Sequence, residues 1–541
     1  MKKLLVLLSL GVGAILFFLV YGGGAKTYKS AEPPARPTRA VQAEPDTVDN
    51  FSYYLDERVS QEVRDIVVEN RKALFVNPSP DFQANPEKYI NLDYDEAADK
   101  AIVEILKNPG ESMVKMGRIE LDIVEKELDF LMDYLKYAYG AYEYYGGDEV
   151  FHPMKADILA ELKAKGGSSV AYTSYENALY KHLHDAIIDC HFVIGQKVFV
   201  GTQRHRYFLS SEKYMFEKIG KQFYTNVSNV EYELISVDNE VPELLPYLDK
   251  NGYVTWVIGK PSKDQNSKPI HILLLNEENG NIIEDDVKLS AVDSSLLKIP
   301  MTMYSEYEKN GVRVAESFAL QPFAEPMDDM FEGMKIYGQN IQGEDIVIVD
   351  LRDGKGGNAA YAVSWMEGYL GHEIDTSRGI FNSRRTETTY YTSFFVHPSK
   401  HVYIESYGTY ENFIQSGDYS GWQGSSSSIT APNVNKDTLF IVLVDHNTMS
   451  SSENFVDYLR QTENVIVVGT NTGGLFMTGS IIDINLPYSK MPLRCGYNFN
   501  IEPDLSSIEA IGIQPDIWAP SVDSLDRVLK FIENNKLKEL K

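Results

Sequence analysis

This 541-residue sequence is short of cysteine, and of basic charge relative to acidic. The two cysteines, Cys190 and Cys495, are too few for a disulfide framework. No Cys-x-x-Cys pair and no His-Glu-x-x-His run occurs, so neither a structural nor a catalytic zinc is indicated, and no cofactor is expected. Lysine and arginine number 51 against 78 acidic residues, a formal net charge of −27. That balance excludes nucleic acid or anionic lipid as the main partner, because phosphate binding needs a basic surface. The glycine turn "DLRDGKGG" matches neither the GxxxxGK[ST] nor the GxGxxG pattern, which argues against a nucleotide site. Histidines number only ten, so few residues can serve as a base near neutral pH.

What is present is a long chain with 43% hydrophobic residues, enough for two or three cored domains. Lys2 and Lys3 precede an apolar run from Leu4 to Tyr21. This is the pattern of a secretion signal or an N-terminal membrane anchor, near the roughly 17–25 residues that span a bilayer. The expected location is therefore outside the cytoplasm: cell envelope, periplasm or extracellular space, either cleaved or anchored. Residues 1–25 read as this leader and 26–49 as a Pro-rich linker.

Residues 50–190 carry apolar positions at three- and four-residue spacing and predict a helical domain. The Tyr-rich stretch "YAYGAYEYY" reads as core or a groove wall. Residues 191–340 shift to short β-like runs. There "EYELISVDNEVPELLPYLDKNGYVTWVIG" predicts strand, turn, a helix through Leu244 and Leu248, then strand. That order is faintly similar to a PDZ core, a generic α+β insert being the other reading. Residues 341–525 alternate buried strands and helices, which predicts an α/β layered core with active groups at strand C-terminal ends. Residues 526–541 read as a C-terminal helix or tail, and the serines 425–428 as a surface loop.

"NTMSSSENF" follows the apolar strand "TLFIVLVD". The structural reading is a capping box, Ser450 capping the helix and Glu453 reaching back. The chemical reading is a serine presented beside unsatisfied helix N–H groups that can hold an oxyanion. Gly356 and Gly357 lack side chains and so let a backbone N–H approach a substrate carbonyl. A hydroxyl nucleophile needs a base. His446 lies four residues before Ser450 but reads as solvent-facing, and His191 closes the helical region.

Three segments together resemble the tail-specific (C-terminal-processing) serine protease family: "IVIVDLRDGKGG", "TMSSSENFVDYLRQTENVIVVGTNTGG" and "IEAIGIQPDIWAP". The resemblance implies a Clp protease/crotonase-like β-α superhelix core in an α/β (overall α+β) protein, a peptide or protein substrate, and Ser450 as nucleophile. Where the Ser–Lys branch has its lysine, this chain has Leu475, and Lys490 stands in no family position. The branch similar to the tricorn protease core uses Ser–His–Glu chemistry. By that resemblance His191 in "DCHFVIG" is the base and Glu509 the orienting carboxylate, while Cys190 stands where a serine joins the network. The oxyanion donors are then Ser451 and Gly356 or Gly357, with Glu453 as cap partner and Arg352 as turn brace. The rival expectation is a catalytically silent binding protein on the same fold.

Overall fold

The computed structural model describes residues 51–538 apart from 77–84, 86–87, 90–93, 293–301, 322–326, 375, 377–378, 397–420, 422 and 428–430. The leader and linker, residues 1–49, lie outside the described residues.

An eight-stranded sheet organises the C-terminal half. Its order is Val254–Val257, Leu245–Leu248, Ile517–Trp518, Val465–Gly469, Leu439–Val444, Ile346–Asp350, Val312–Ser317 and Tyr304–Lys309. The central pairings are parallel and both edges antiparallel. Ile346–Asp350, Leu439–Val444 and Val465–Gly469 are buried at every residue, as expected of parallel strands covered on both faces.

Alternate side chains take opposite faces. Val347, Val349, Phe440, Val442, Val465 and Val467 pack with helices Met327–Asn340, Ala360–Leu370 and Ser451–Arg460. Ile346, Ile348, Leu439, Ile441, Ile466 and Val468 pack with helices Gln61–Lys72 and Ser524–Asn534. The result is helix, sheet and helix layers. Helix Gln61–Lys72 thus covers the catalytic-core sheet although it lies in the segment read as the helical domain. The fully buried pair Arg71–Asp516, at 2.7 Å, ties it there.

A second, antiparallel sheet joins Gln423–Ser427, Gly379–Ser383, Pro492–Ile501, Val193–Ile194, Lys197–Val198 and Thr478–Asn485. It shares its core with helices Leu121–Ala138, Gly147–Lys163 and Tyr172–Ala186. The stretch expected as a serine loop is therefore a strand through Ser427, paired with Gly379–Ser383.

Between residues 204 and 320 the described residues form strands and no helix. Val237 to Glu240 is a tight turn with positive φ at Asp238 and Asn239, as the sequence suggests. The expected helix through Leu244 and Leu248 is instead the strand Leu245–Leu248, joined to the edge of the large sheet through Tyr247 and Trp518. Pro246 explains the difference, since it lacks an N–H and pushes Leu245 out of the helical region. The PDZ-like helix is thus absent from this segment. Cys190 and Cys495 are both buried and unbridged.

Candidate functional site

Three strand-end turns meet at the C-terminal edge of the parallel strands. Met449 N–H bonds Gly354 O at 2.8 Å, Gly473 N–H bonds Thr448 O at 2.7 Å, and Asp353 N–H bonds Asp445 Oδ1 at 2.9 Å. Arg352 braces the first turn by gripping Asp350 with Nε at 2.8 Å and Nη2 at 2.6 Å. Its Nη1 reaches Ser521 O at 2.5 Å.

Ser450 sits where the strand Leu439–Val444 passes into helix Ser451–Arg460, with φ 54° and ψ −127°. Such a backbone is costly for a residue with a Cβ. It turns the side chain away from the helix, so the Ser450 hydroxyl makes no capping bond. Glu453 reaches back as the expected box requires: the Ser450 N–H donates to Glu453 Oε2 at 2.9 Å. Glu453 is fully buried and also accepts Thr472 Oγ1 at 2.7 Å and the N–H groups of Gly474 at 2.7 Å and Leu475 at 2.8 Å. Burial raises its carboxyl above the usual range, against the pull of these four donors.

The freed hydroxyl meets His191. Nε2 of His191 lies 3.3 Å from Ser450 Oγ, 259 residues away in sequence. His191 is held by its neighbours: helix Tyr172–Ala186 ends just before it, Phe192 and Ile194 are fully buried after it, and Val193–Ile194 pairs with Leu493 and Arg494. Burial lowers its pKa below the usual histidine value, opposed by the Asp189 carboxylate, so the ring is neutral and able to accept a proton at pH 7.

Glu509 is buried, at 5% exposure. Its Oε1 accepts the Cys190 N–H at 2.7 Å and its Oε2 accepts the Phe476 and Met477 N–H groups, both at 2.8 Å. The hydrogen bonds of Glu509 therefore go to the main chain beside His191 and not to the imidazole. His191 Nδ1 is buried, and the Thr478 main chain faces the ring. Burial first, and Asp189 second, push the Glu509 carboxyl up to about 8. The Cys190 thiol is likewise pushed well up, by burial and then by Glu509.

The glycine turn is tight against the serine. A Cβ on Gly356 would stand 2.8 Å from Ser450 Cβ and 3.0 Å from Ser451 N. Gly356 N–H is engaged by Ser452 Oγ at 3.1 Å, whereas Gly357 N–H makes no main-chain bond among the described residues. Ser451, first residue of its helix, has an N–H without an intrahelical partner, and its hydroxyl donates to Gly357 O at 2.7 Å. Ser451 and Gly357 thus offer the free donors of this turn.

One expectation changes. His446 is buried, at 7% exposure, because the segment around Arg204 covers its turn and the Arg204 guanidinium donates to His446 O. Lys490 donates to the carbonyls of Pro109 at 2.6 Å and Pro487 at 2.8 Å, and Leu475 occupies the turn beside Glu453. Sequence reasoning missed Arg204, which also reaches Met449 Sδ at 3.1 Å, and Asp189, whose one signal was its place two residues before His191. No cluster among the described residues is disposed to hold a metal ion.

An α/β core presents a serine at a strained strand-to-helix turn, beside a neutral histidine and free N–H donors, an arrangement able to carry serine-type peptidase chemistry. Residues 316–519 match the model of Peptidase family S41. Among solved structures, mature CPAF complexed with lactacystin is similar at 13% identity, covering 77% of this chain and 99% of that one, with a TM-score of 0.36. The photosystem II D1 C-terminal processing protease aligns at 12% identity over 75% of this chain and 97% of its own, TM-score 0.34. The tricorn protease aligns at 11% identity over 78% of this chain and 37% of its own, TM-score 0.32. No curated protein matches the chain in sequence.

Proposed function

We propose that the protein is an exported serine peptidase that hydrolyses peptide bonds through Ser450, with His191 as general base. The observation that carries this reading is the 3.3 Å approach of His191 Nε2 to Ser450 Oγ. In the reaction, Oγ attacks the scissile carbonyl while Nε2 takes its proton, and the imidazolium then returns the proton to the departing amine. Ser451 and Gly357 N–H groups hold the tetrahedral oxyanion, as the free donors beside Oγ. Gly356 contributes close approach. Glu509 fixes the main chain at Cys190 and at Phe476 and Met477. Export is supported by the Lys2, Lys3 and Leu4–Tyr21 pattern. Among the described residues no helix is long and apolar enough to cross a membrane.

Hydrolysis of an unstructured protein such as casein tests the assignment. Ser450→Ala abolishes it and Lys490→Ala leaves it intact. Loss with Lys490→Ala and retention with Ser450→Ala contradicts the reading. Fractionation of cells carrying a C-terminally tagged chain tests export, and full-length protein in the cytosol contradicts it.

A further inference from the structure

The loop that delivers His191 also delivers a carboxylate to which the mechanism above gives no role. Asp189 is fully buried, and three parts of the chain converge on it. Its Oδ1 accepts the His191 N–H at 2.8 Å, and its Oδ2 accepts the Tyr139 hydroxyl at 2.8 Å and the Thr478 hydroxyl at 2.9 Å. Thr478 touches both partners, because its backbone also acts on the His191 ring. No lysine or arginine pairs with Asp189 among the described residues. Glu509, by contrast, spends both oxygens on the N–H groups of Cys190, Phe476 and Met477.

We propose that Asp189 is the positioning residue whose negative charge supports the His191 imidazolium during turnover, held in place by Tyr139 and Thr478, while Glu509 acts as a main-chain clamp. This deepens the Ser450–His191 reading and rests on it.

The physical reason is economy of buried charge. Two neighbouring buried carboxylates do not both ionise readily. Glu509 is the one pushed up, by burial and then by Asp189. The other titratable neighbours of Asp189 stay neutral: Tyr139 and Tyr145 are raised well above the usual phenol value, and the Cys190 and Cys495 thiols are raised too, burial being the first cause in each. The cation facing His191 is Arg494, which is half exposed and ion-paired to Asp483 at 2.7 Å, so solvent and its own partner weaken its opposition. A buried, hydrogen-bonded carboxylate without a cation is complemented when the neighbouring imidazole becomes charged.

Asp189→Asn is compatible with the fold. The amide oxygen can keep the His191 N–H, and the amide NH2 can donate to the Tyr139 and Thr478 hydroxyls, which rotate to accept. Asp189→Ser removes the charge in a second way. The experiment follows the ring-13C signal of His191, assigned by its loss in His191→Gln, together with the pH profile of kcat/KM on a peptide. With either variant the His191 titration moves down by about one pH unit or more. The acidic limb of kcat/KM moves with it, and kcat falls at least tenfold while KM changes less than twofold. Glu509→Gln leaves the His191 titration in place. If both Asp189 variants keep the native titration and limb, or if Glu509→Gln alone shifts them, the inference is overturned while Ser450–His191 stands. If Ser450→Ala retains turnover, the underlying reading falls, and the imidazole titration still decides whether Asp189 couples to His191.

Discussion

Glu453 takes the main-chain N–H of Ser450 at 2.9 Å and leaves the Ser450 hydroxyl to His191. One residue triplet therefore satisfies two demands that look exclusive in sequence. The helix N-terminus gains an anionic acceptor, and the serine side chain stays free for chemistry. The cost is a left-handed φ of 54° at Ser450, offset by the four donors that Glu453 gathers from two turns.

Gly356 is where that geometry is most sensitive. With φ at 77° and Ser450 Cβ 2.8 Å from where its own Cβ would stand, Gly356→Ala forces the two turns apart. A displacement on the scale of an ångström costs roughly 100-fold in kcat. Steady-state kinetics with an unchanged far-UV spectrum checks this, and native kcat in Gly356→Ala contradicts the packing described.

Asp516, in the closing "GIQPD" segment, has a structural task. It accepts Arg71 Nη1 at 2.9 Å and Nη2 at 2.7 Å, and it holds the Val467 N–H at 2.8 Å. Asp516→Ala strands a buried guanidinium and destabilises the fold by about 3–5 kcal/mol. Urea unfolding measures it, with Arg71→Met expected to cost less because it leaves a carboxylate still bonded to Val467 and Asn70. Equal midpoints for native and Asp516→Ala proteins would refute the assignment.

Glu509 predicts a pH signature in stability. Its carboxyl titrates at about 8 in the folded chain, against about 4.3 when unfolded. The folded state thus holds a proton that the unfolded state has released. Stability from this group is complete below about pH 4.3 and is lost as pH rises to about 8. Glu509→Gln, which cannot ionise, flattens this decline. Urea midpoints at pH 5 and pH 8.5 check it: the native protein loses more stability between them than the variant does. Equal losses contradict the burial argument.

The layered core was legible because strands such as "IVIVD" and "LFIVLV" are apolar without alternation, which only a sheet covered on both faces satisfies. Ser450 and Glu509 were named from two of the quoted segments and His191 from "DCHFVIG", through the resemblance, since local spacing alone favoured the cap. The rest depended on long-range contact. Asp189 shows nothing in "DCHF" beyond proximity, and its partners Tyr139 and Thr478 come from 50 and 289 residues away. His446 is buried, and the Arg204 guanidinium that donates to its carbonyl comes from 242 residues upstream. The insert was misread at "ELLPYL", where apolar spacing suited a helix but Pro246 and the open edge beside Trp518 favoured a strand.

The central claim is that Ser450 is a nucleophile activated by His191. Reaction with a fluorophosphonate followed by peptide mapping tests it most directly, because the adduct marks the attacking oxygen. The account predicts a single adduct on Ser450 in the native protein, none in Ser450→Ala, and a rate about 1,000-fold or more lower in His191→Ala. An adduct on Ser451 or Ser452, or an undiminished rate in His191→Ala, would contradict it.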